Sequence, residues 1–411
     1  MSPTFLFRNA TLVDGTSPEP RPGHDVLVEA GLIREVSDRP LSSASATMID
    51  VAGRTLMPGL IDCHVHVLAT HPDLGFNATL PNSLATLRSV AIMRDMLLRG
   101  FTTVRDAAGG DFGLKMAVEE GTVAGPRLLI AGRALSQTGG HGDYRGRFDD
   151  RSFCLCHARV GAIARVVDGV DAVRLAVREE IKAGADQIKI MASGGISSPT
   201  DPIHFLGYSR DEIKAVVDEA ANAGTYVMAH AYTAAAIARA VECGVRSIEH
   251  GNLVDAPTAA LMARAGAIAV PTLVTYDALA EEGGSLGLPP ESVAKIAAVR
   301  GAGLRSLEIF RDAGVTMAFG SDLLGAMHRH QSTEFVLRAR VLGAHAAIAS
   351  ATTAAAELLH MQGKLGVVAA GAYADLLVVD GNPLANIELL TGQGRHLSLI
   401  MQRGALVKHE A

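Results

Sequence analysis

Two histidines one residue apart, His64 and His66, lie in Pro58-Gly59-Leu60-Ile61-Asp62-Cys63-His64-Val65-His66, and further residues of ligand type follow at Lys189, His230, His250 and Asp322. Side chains on an extended segment alternate with period two, so His64 and His66 face the same side and can grip one cation. Neutral imidazole is the commonest ligand for borderline metals such as zinc. Each residue alone has an ordinary explanation, since a lone strand histidine is usually a satisfied core residue and a strand-end aspartate often caps a helix. Six of them among mostly apolar neighbours, where unpaired polar groups are costly, point instead to a metal centre.

Lys189 is the unusual member. An ammonium buried among cations is disfavoured, so its neutral amine predominates. A neutral amine reacts with carbon dioxide to give a carbamate, whose two oxygens can bridge metals about 3.5–4 Å apart. The expected centre therefore holds two Zn2+ ions, or other divalent metals, bridged by the carbon dioxide-derived carbamate on Lys189. His64 and His66 bind one ion, and His230 and His250 the other. Asp322 ligates the first metal, takes a proton from the bridging water as it attacks as hydroxide, and passes it to the leaving nitrogen.

The elements that must position these groups follow from the texture of the chain. From Leu60 to about Ala355 short apolar runs alternate with Ala-rich helical stretches, the βα pattern of a parallel sheet. Eight strands are expected: Leu60 to His66, Thr102 to Asp106, Arg127 to Ala131, Gln187 to Met191, Thr225 to His230, Ser247 to His250, Ala267 to Pro271 and Thr316 to Asp322. Eight βα units suggest an α/β fold with a closed (β/α)8 TIM-type barrel, whose catalytic groups sit at the C-terminal strand ends. All six ligand-type residues lie late in a strand or at its end. Both chain ends show antiparallel patterning, with Ala30-Gly31 as a turn signal, and are expected to build one small β-sandwich. The division is residues 1–57 and 356–411 for the sandwich and 58–355 for the barrel that carries the metal centre.

At 411 residues the chain is long for one core, which favours this two-part layout. A net charge of -6 with scattered basic residues gives no footprint for nucleic acid or an anionic membrane. No segment reads as a signal peptide or transmembrane span, and four cysteines are too few for a disulfide framework, so a reduced cytoplasmic protein is expected.

The segments around the six residues resemble the amidohydrolase superfamily: Pro58 to His66, Gln187-Ile188-Lys189-Ile190-Met191-Ala192-Ser193-Gly194-Gly195, Met228-Ala229-His230-Ala231-Tyr232, Ile248-Glu249-His250-Gly251 and Phe319-Gly320-Ser321-Asp322. Within it the chain looks most like the branch of bacterial Xaa-Pro dipeptidases, zinc carboxypeptidases and ochratoxin-hydrolysing amidases. The resemblance implies a binuclear zinc site with a carboxylated lysine and a homo-oligomer as large as an octamer. It also implies hydrolysis of a small-molecule amide next to a C-terminal carboxylate, as in N-acyl amino acids, Xaa-Pro dipeptides or ochratoxin A. A cyclic-amide hydrolase or deaminase on the same scaffold is the alternative, and a scaffold that has lost catalysis is a third reading. Lys189 argues against deaminases, and the six filled positions argue against loss of catalysis.

The segment from Gly132 to Arg159 is long for a βα connection and reads as a lid or binding loop. In the resembled branch the histidine matching His141 faces the active site, so His141 is expected to polarise the scissile carbonyl or hold the substrate carboxylate. Tyr232 is expected to hydrogen-bond that carboxylate. Arg133, Arg145, Arg147 and Arg151 are alternatives for a bidentate clamp, with Arg145 carried as a substrate residue. His328, with His330, follows the eighth strand and is placed at the pocket. Cys154, Cys156 and His157 are too closely spaced for a strong zinc signature.

Overall fold

The computed structural model describes residues 3–149, 158–198, 200–288 and 290–410. Runs of aliphatic and β-branched residues become strands, and glycine or short polar groups reverse the chain between them. The first five strands are β1 (Phe5–Leu12), β2 (Arg21–Glu29), β3 (Leu32–Ser37), β4 (Thr47–Asp50) and β5 (Thr55–Pro58). Next come β6 (Leu60–Val65), β7 (Phe101–Asp106), β8 (Arg127–Ile130), β9 (Ala134–Ser136) and β10 (Ala164–Val166). They are followed by β11 (Ile188–Met191), β12 (Val227–Thr233), β13 (Ser247–Leu253) and β14 (Ile268–Val270). The chain closes with β15 (Leu376–Val379), β16 (Leu397–Gln402) and β17 (Ala405–His409).

Two units form. One comprises Met1–Asp62, Arg94–Thr103 and Ser332–Ala411, the other Cys63–Met93 and Val104–Gln331. In the first, strands from both chain ends join one eight-stranded mixed sheet in the order β17-β16-β15-β5-β1-β2-β3, with β4 pairing β1. The ends meet where β15 runs antiparallel to β5, Leu377 opposite Met57. Period two builds the core: Val26 and Val28, Leu376 and Val378, and Leu399 and Met401 are buried in one cluster. Each fully buried side chain of this kind contributes about 1.5–3 kcal/mol. The β2–β3 turn has φ of 51° at Ala30 and 80° at Gly31, the left-handed pair that matches the twist of a hairpin.

The second unit carries a parallel sheet in the order β10-β9-β11-β12-β13-β14, and β6, β7 and β8 form a second sheet in that order. Helices Val170–Lys182, Arg210–Asn222 and Ala234–Glu242 lie between successive strands. The helix Arg210–Asn222 starts with a capping box, in which Ser209 and Glu212 satisfy each other's backbone N–H groups. One set of alternate strand residues, Ile188, Ile190 and Ala192 with Val227, Ala229 and Ala231, packs against Val177, Val216 and Ile237 of these helices. The intervening residues are thereby turned to the opposite face of the sheet.

Two expectations need correction. The run Thr316 to Asp322 is not a full strand but an isolated parallel bridge between Met317 and Ala269. Its backbone is still paired: Ala318 N–H donates to Ala269 O at 2.9 Å, Cys63 N–H to Phe319 O at 2.8 Å and Asp322 N–H to His64 O at 2.8 Å. A left-handed Asp322, φ 52°, ends the extended run. The segment from Gly132 is also not loop throughout, because β9 lies inside it and pairs with both β10 and β11. Among the described residues no helix is long and apolar enough to cross a membrane.

Candidate active site

The alternation that buries Ile188, Ile190, Val227 and Ala229 against helices turns Lys189, Met191, His230 and Tyr232 toward one cavity. His64 and His66 at the end of β6, His250 in β13 and Asp322 line the same cavity, as do His141 and the apolar side chains Leu74, Ile163, Ile196, Leu279 and Leu324. All six ligand-type residues and His141 thus converge. His64 Nε2 and His66 Nε2 lie 3.4 and 3.2 Å from Asp322 Oδ1. The imidazole centroids of His64 and His250 are 4.9 Å apart, and those of His230 and His250 4.6 Å. Ligand atoms of His64, His250 and Asp322 all fall within 4.8 Å of one another.

The second nitrogen of each histidine is held by the protein. His64 Nδ1 meets Glu249 Oε2 at 2.7 Å, His66 Nδ1 meets Ala108 O at 2.9 Å, His230 Nε2 meets Gly194 O at 3.2 Å, and His250 Nδ1 meets Thr272 Oγ1 at 2.8 Å. A carboxylate or carbonyl oxygen only accepts, so each of the first three rings carries its hydrogen on that side and turns a lone pair to the cavity. Outer-shell acceptors of this kind orient histidine ligands for borderline cations, and three such rings beside a carboxylate and a buried amine form a donor set that fits a divalent metal. His250 and Asp322 are also held at left-handed φ, 71° and 52°. Such backbone strain is retained where the surroundings over-determine it.

Electrostatics agree with that geometry. Burial foremost pushes the Lys189 ammonium down to about 8, with Arg105 adding to the effect and Glu249, Asp322 and Asp106 opposing it. His230 and His250 are held well below their ordinary value, chiefly by burial; His141, His250 and Lys189 press further on His230, whereas Asp322 works against the shift at His250. His66 is raised: burial lowers it, but hydrogen bonding and charge from Asp322 outweigh that. Burial would raise Asp322, yet the surrounding histidines, His64 first, keep it ionised. Asp106 is pushed up to about 6 by burial, while it accepts the Val67 and Gly110 amides at 2.7 and 2.8 Å and so fixes the turn after β6.

Several contributors were not singled out in the sequence. Glu249 is fully buried, and besides His64 it receives Arg105 Nη2 at 2.9 and 3.0 Å. Arg105 also donates Nε to Cys63 O at 2.6 Å, tying the pair to the strand that carries His64. Glu249 stands next to His250, and a carboxylate beside a ligand-type histidine is the available signal; with Ile248 packed on the helix side, alternation keeps Glu249 on the inner face, and it is His250 that breaks the pattern. Ser198 and Asp201 approach His141, with Ser198 Oγ at 2.7 Å and Asp201 Oδ2 at 3.7 Å from its Nδ1. Tyr144 and Tyr276 line the cavity, and the Tyr276 hydroxyl donates to that of Tyr232 at 3.1 Å.

The remaining expected residues fall elsewhere. Arg145 is drawn to Asp143, with Nε and Nη2 each 2.7 Å from its carboxylate oxygens, and does not line the cavity. His328 is buried on the turn Gly325–His330 but is not part of the lining, and His330 pairs with Glu282 at 2.6 Å. Arg133 Nε donates to Ala162 O, and Arg147 is exposed. Among the described residues no arginine lines the cavity. Arg151, Cys154, Cys156 and His157 lie outside the described residues.

The chain is similar to known proteins over most of its length. A family model described as the amidohydrolase family matches residues 55–402. Ochratoxinase from Aspergillus niger is 33% identical over 355 residues, covering 81% of this chain and 72% of that protein. A solved prolidase complexed with N-methylphosphonate-L-proline superposes with a TM-score of 0.98 at 59% identity, covering 99% of this chain and 100% of the other. A Xaa-Pro dipeptidase with methionine bound in its active site gives a TM-score of 0.87 at 28% identity, covering 98% and 100%.

Proposed function

Because the chain belongs to the amidohydrolase family and is a hydrolytic enzyme acting on amide bonds, we propose that it releases the C-terminal residue from amides of amino acids at a two-zinc centre. The observation that carries this reading is the convergence of His64, His66, Lys189, His230, His250 and Asp322 on one cavity, together with the acceptors that fix the outer nitrogens of the rings. His64, His66 and Asp322 would hold one cation and His230 and His250 the other, with carboxylated Lys189 between them. Such cations supply a Lewis acid for the scissile carbonyl and an activated water.

The chain's own groups do the rest. Asp322, held as a carboxylate, accepts a proton and delivers it to the departing nitrogen. In this reading His141 and the Tyr232 hydroxyl bind the substrate carboxylate or carbonyl; both line the cavity, and the Tyr232 oxygen already accepts from Tyr276. Leu74, Ile163, Ile196, Leu279 and Leu324 give the pocket apolar walls suited to an acyl group or an apolar leaving residue. The neighbours support this substrate class, since one was solved with a proline derivative and another is an ochratoxinase. The same reading takes residues 58–355 as one (β/α)8 barrel and residues 1–57 and 356–411 as the small domain.

The test is product analysis of protein loaded with zinc in bicarbonate, against N-acyl amino acids, Xaa-Pro dipeptides, ochratoxin A and cyclic amides. Release of free amino acid from the linear amides is expected. Ring opening alone, with linear amides untouched, would overturn the substrate assignment.

A further inference from the structure

We propose that Asp201 and Ser198, clamped by Lys295, are positioning residues that set the orientation of His141. The inference rests on the reading above that His141 contacts substrate. His141 lies flat on His230, with ring centroids 4.2 Å apart and planes 28° from parallel. Stacking fixes the plane of the ring but not which nitrogen meets the substrate. That is decided at Nδ1, which lies 2.7 Å from Ser198 Oγ. Asp201 Oδ2 lies 3.7 Å from the same Nδ1, and a carboxylate only accepts. The nearby negative charge favours the tautomer with its hydrogen on Nδ1, so the Ser198 oxygen receives Nδ1–H and Nε2 of His141 is left for the substrate.

The loop bearing Ser198 and Asp201 is itself tied down. Lys295, on the helix Pro290–Arg300, donates Nζ to the carbonyls of Gly195, Ser198 and Asp201 at 2.9, 2.8 and 2.9 Å, which uses all three ammonium hydrogens. Its charge lies 3.8 Å from Asp201 Oδ1. Asp201 Oδ2 accepts the Gly195 N–H at 2.8 Å, and Asp201 is 1% exposed, so this oxygen is held by the loop's own backbone. Gly195 lies so close against the His141 imidazole that a Cβ there would overlap the ring. These contacts converge on the His141 side chain, which is the arrangement expected of a support for a reacting group.

A double-mutant cycle tests this. Ser198→Ala and Asp201→Asn are each combined with His141→Gln, and kcat and KM are measured on whichever amide the wild-type enzyme hydrolyses, so an error in the substrate assignment does not remove the readout. Each single variant is expected to change, by roughly tenfold, the same parameter that His141→Gln changes. The double variants are expected to fall no lower than His141→Gln alone. Crystals of Ser198→Ala, read independently of turnover, should show the His141 ring turned from its position on His230. Additive effects, or wild-type kinetics with an unmoved ring, would overturn the proposal. So would a lowered melting temperature with kcat and KM unchanged. Should Asp201→Asn fail to fold, the milder Ser198→Ala decides the question alone.

Discussion

Glu249 Oε2 lies 2.7 Å from His64 Nδ1, although 185 residues separate the two in the chain. The contact joins β13 to β6 at a point where Glu249 is also paired with Arg105, and all three side chains are at most 1% exposed. A strand that alternated strictly would not turn both Glu249 and His250 to His64. It does so here because His250 leaves the extended region, with φ at 71°.

Breaking that pair should be felt at the metal. Glu249→Gln removes the carboxylate charge facing His64 and leaves one amide oxygen to serve both His64 and Arg105, and should weaken metal affinity about 10- to 100-fold, measured by competition with a chelator. Arg105→Met strands the Glu249 carboxylate and should cost about 3–5 kcal/mol in denaturant unfolding. Unchanged metal affinity in Glu249→Gln would show that His64 does not depend on this partner.

Asp322→Asn keeps an oxygen toward the histidines but removes the proton acceptor. Turnover should fall roughly a hundred- to ten-thousandfold, with much of the metal retained by elemental analysis. Substantial activity at full metal content would contradict the proton-transfer role.

Carboxylation of Lys189 should depend on pH in a definite direction. With the ammonium pulled down to about 8, the neutral amine that attacks carbon dioxide is scarce below that pH and predominant above it. Metal-free protein given zinc and a fixed concentration of dissolved carbon dioxide should regain activity faster as pH rises through about 8. Electron density for an unmodified Lys189 in fully metallated crystals would remove the carbamate from the mechanism.

Gly195→Ala places a methyl group against the His141 ring and forces the ring or the loop to move. We expect kcat/KM to drop roughly tenfold or more, with folding retained by circular dichroism. Full activity would mean that the loop yields without disturbing His141.

Much of this protein is written locally. Glycine and polar pairs mark turns such as Ala30-Gly31, and period two on β6, β11 and β12 turns His64, His66, Lys189 and His230 to the same face as Met191 and Tyr232, because alternation is a property of the extended backbone itself. Those signals need only a few neighbouring residues, so the residues that converge on the cavity and the α/β class with its parallel sheet were legible. Tertiary structure alone decided the second ring of contacts. Arg105 and Lys295 reach their partners across 144 and up to 100 residues, and Arg145 is taken by Asp143 two positions away although its charge suited a substrate clamp as well. The left-handed turns at His250 and Asp322 likewise break the alternation on which local reading depends. Where a charged side chain ends up depends on which buried partner can desolvate with it at lower cost, and that partner is known only once the chain has folded.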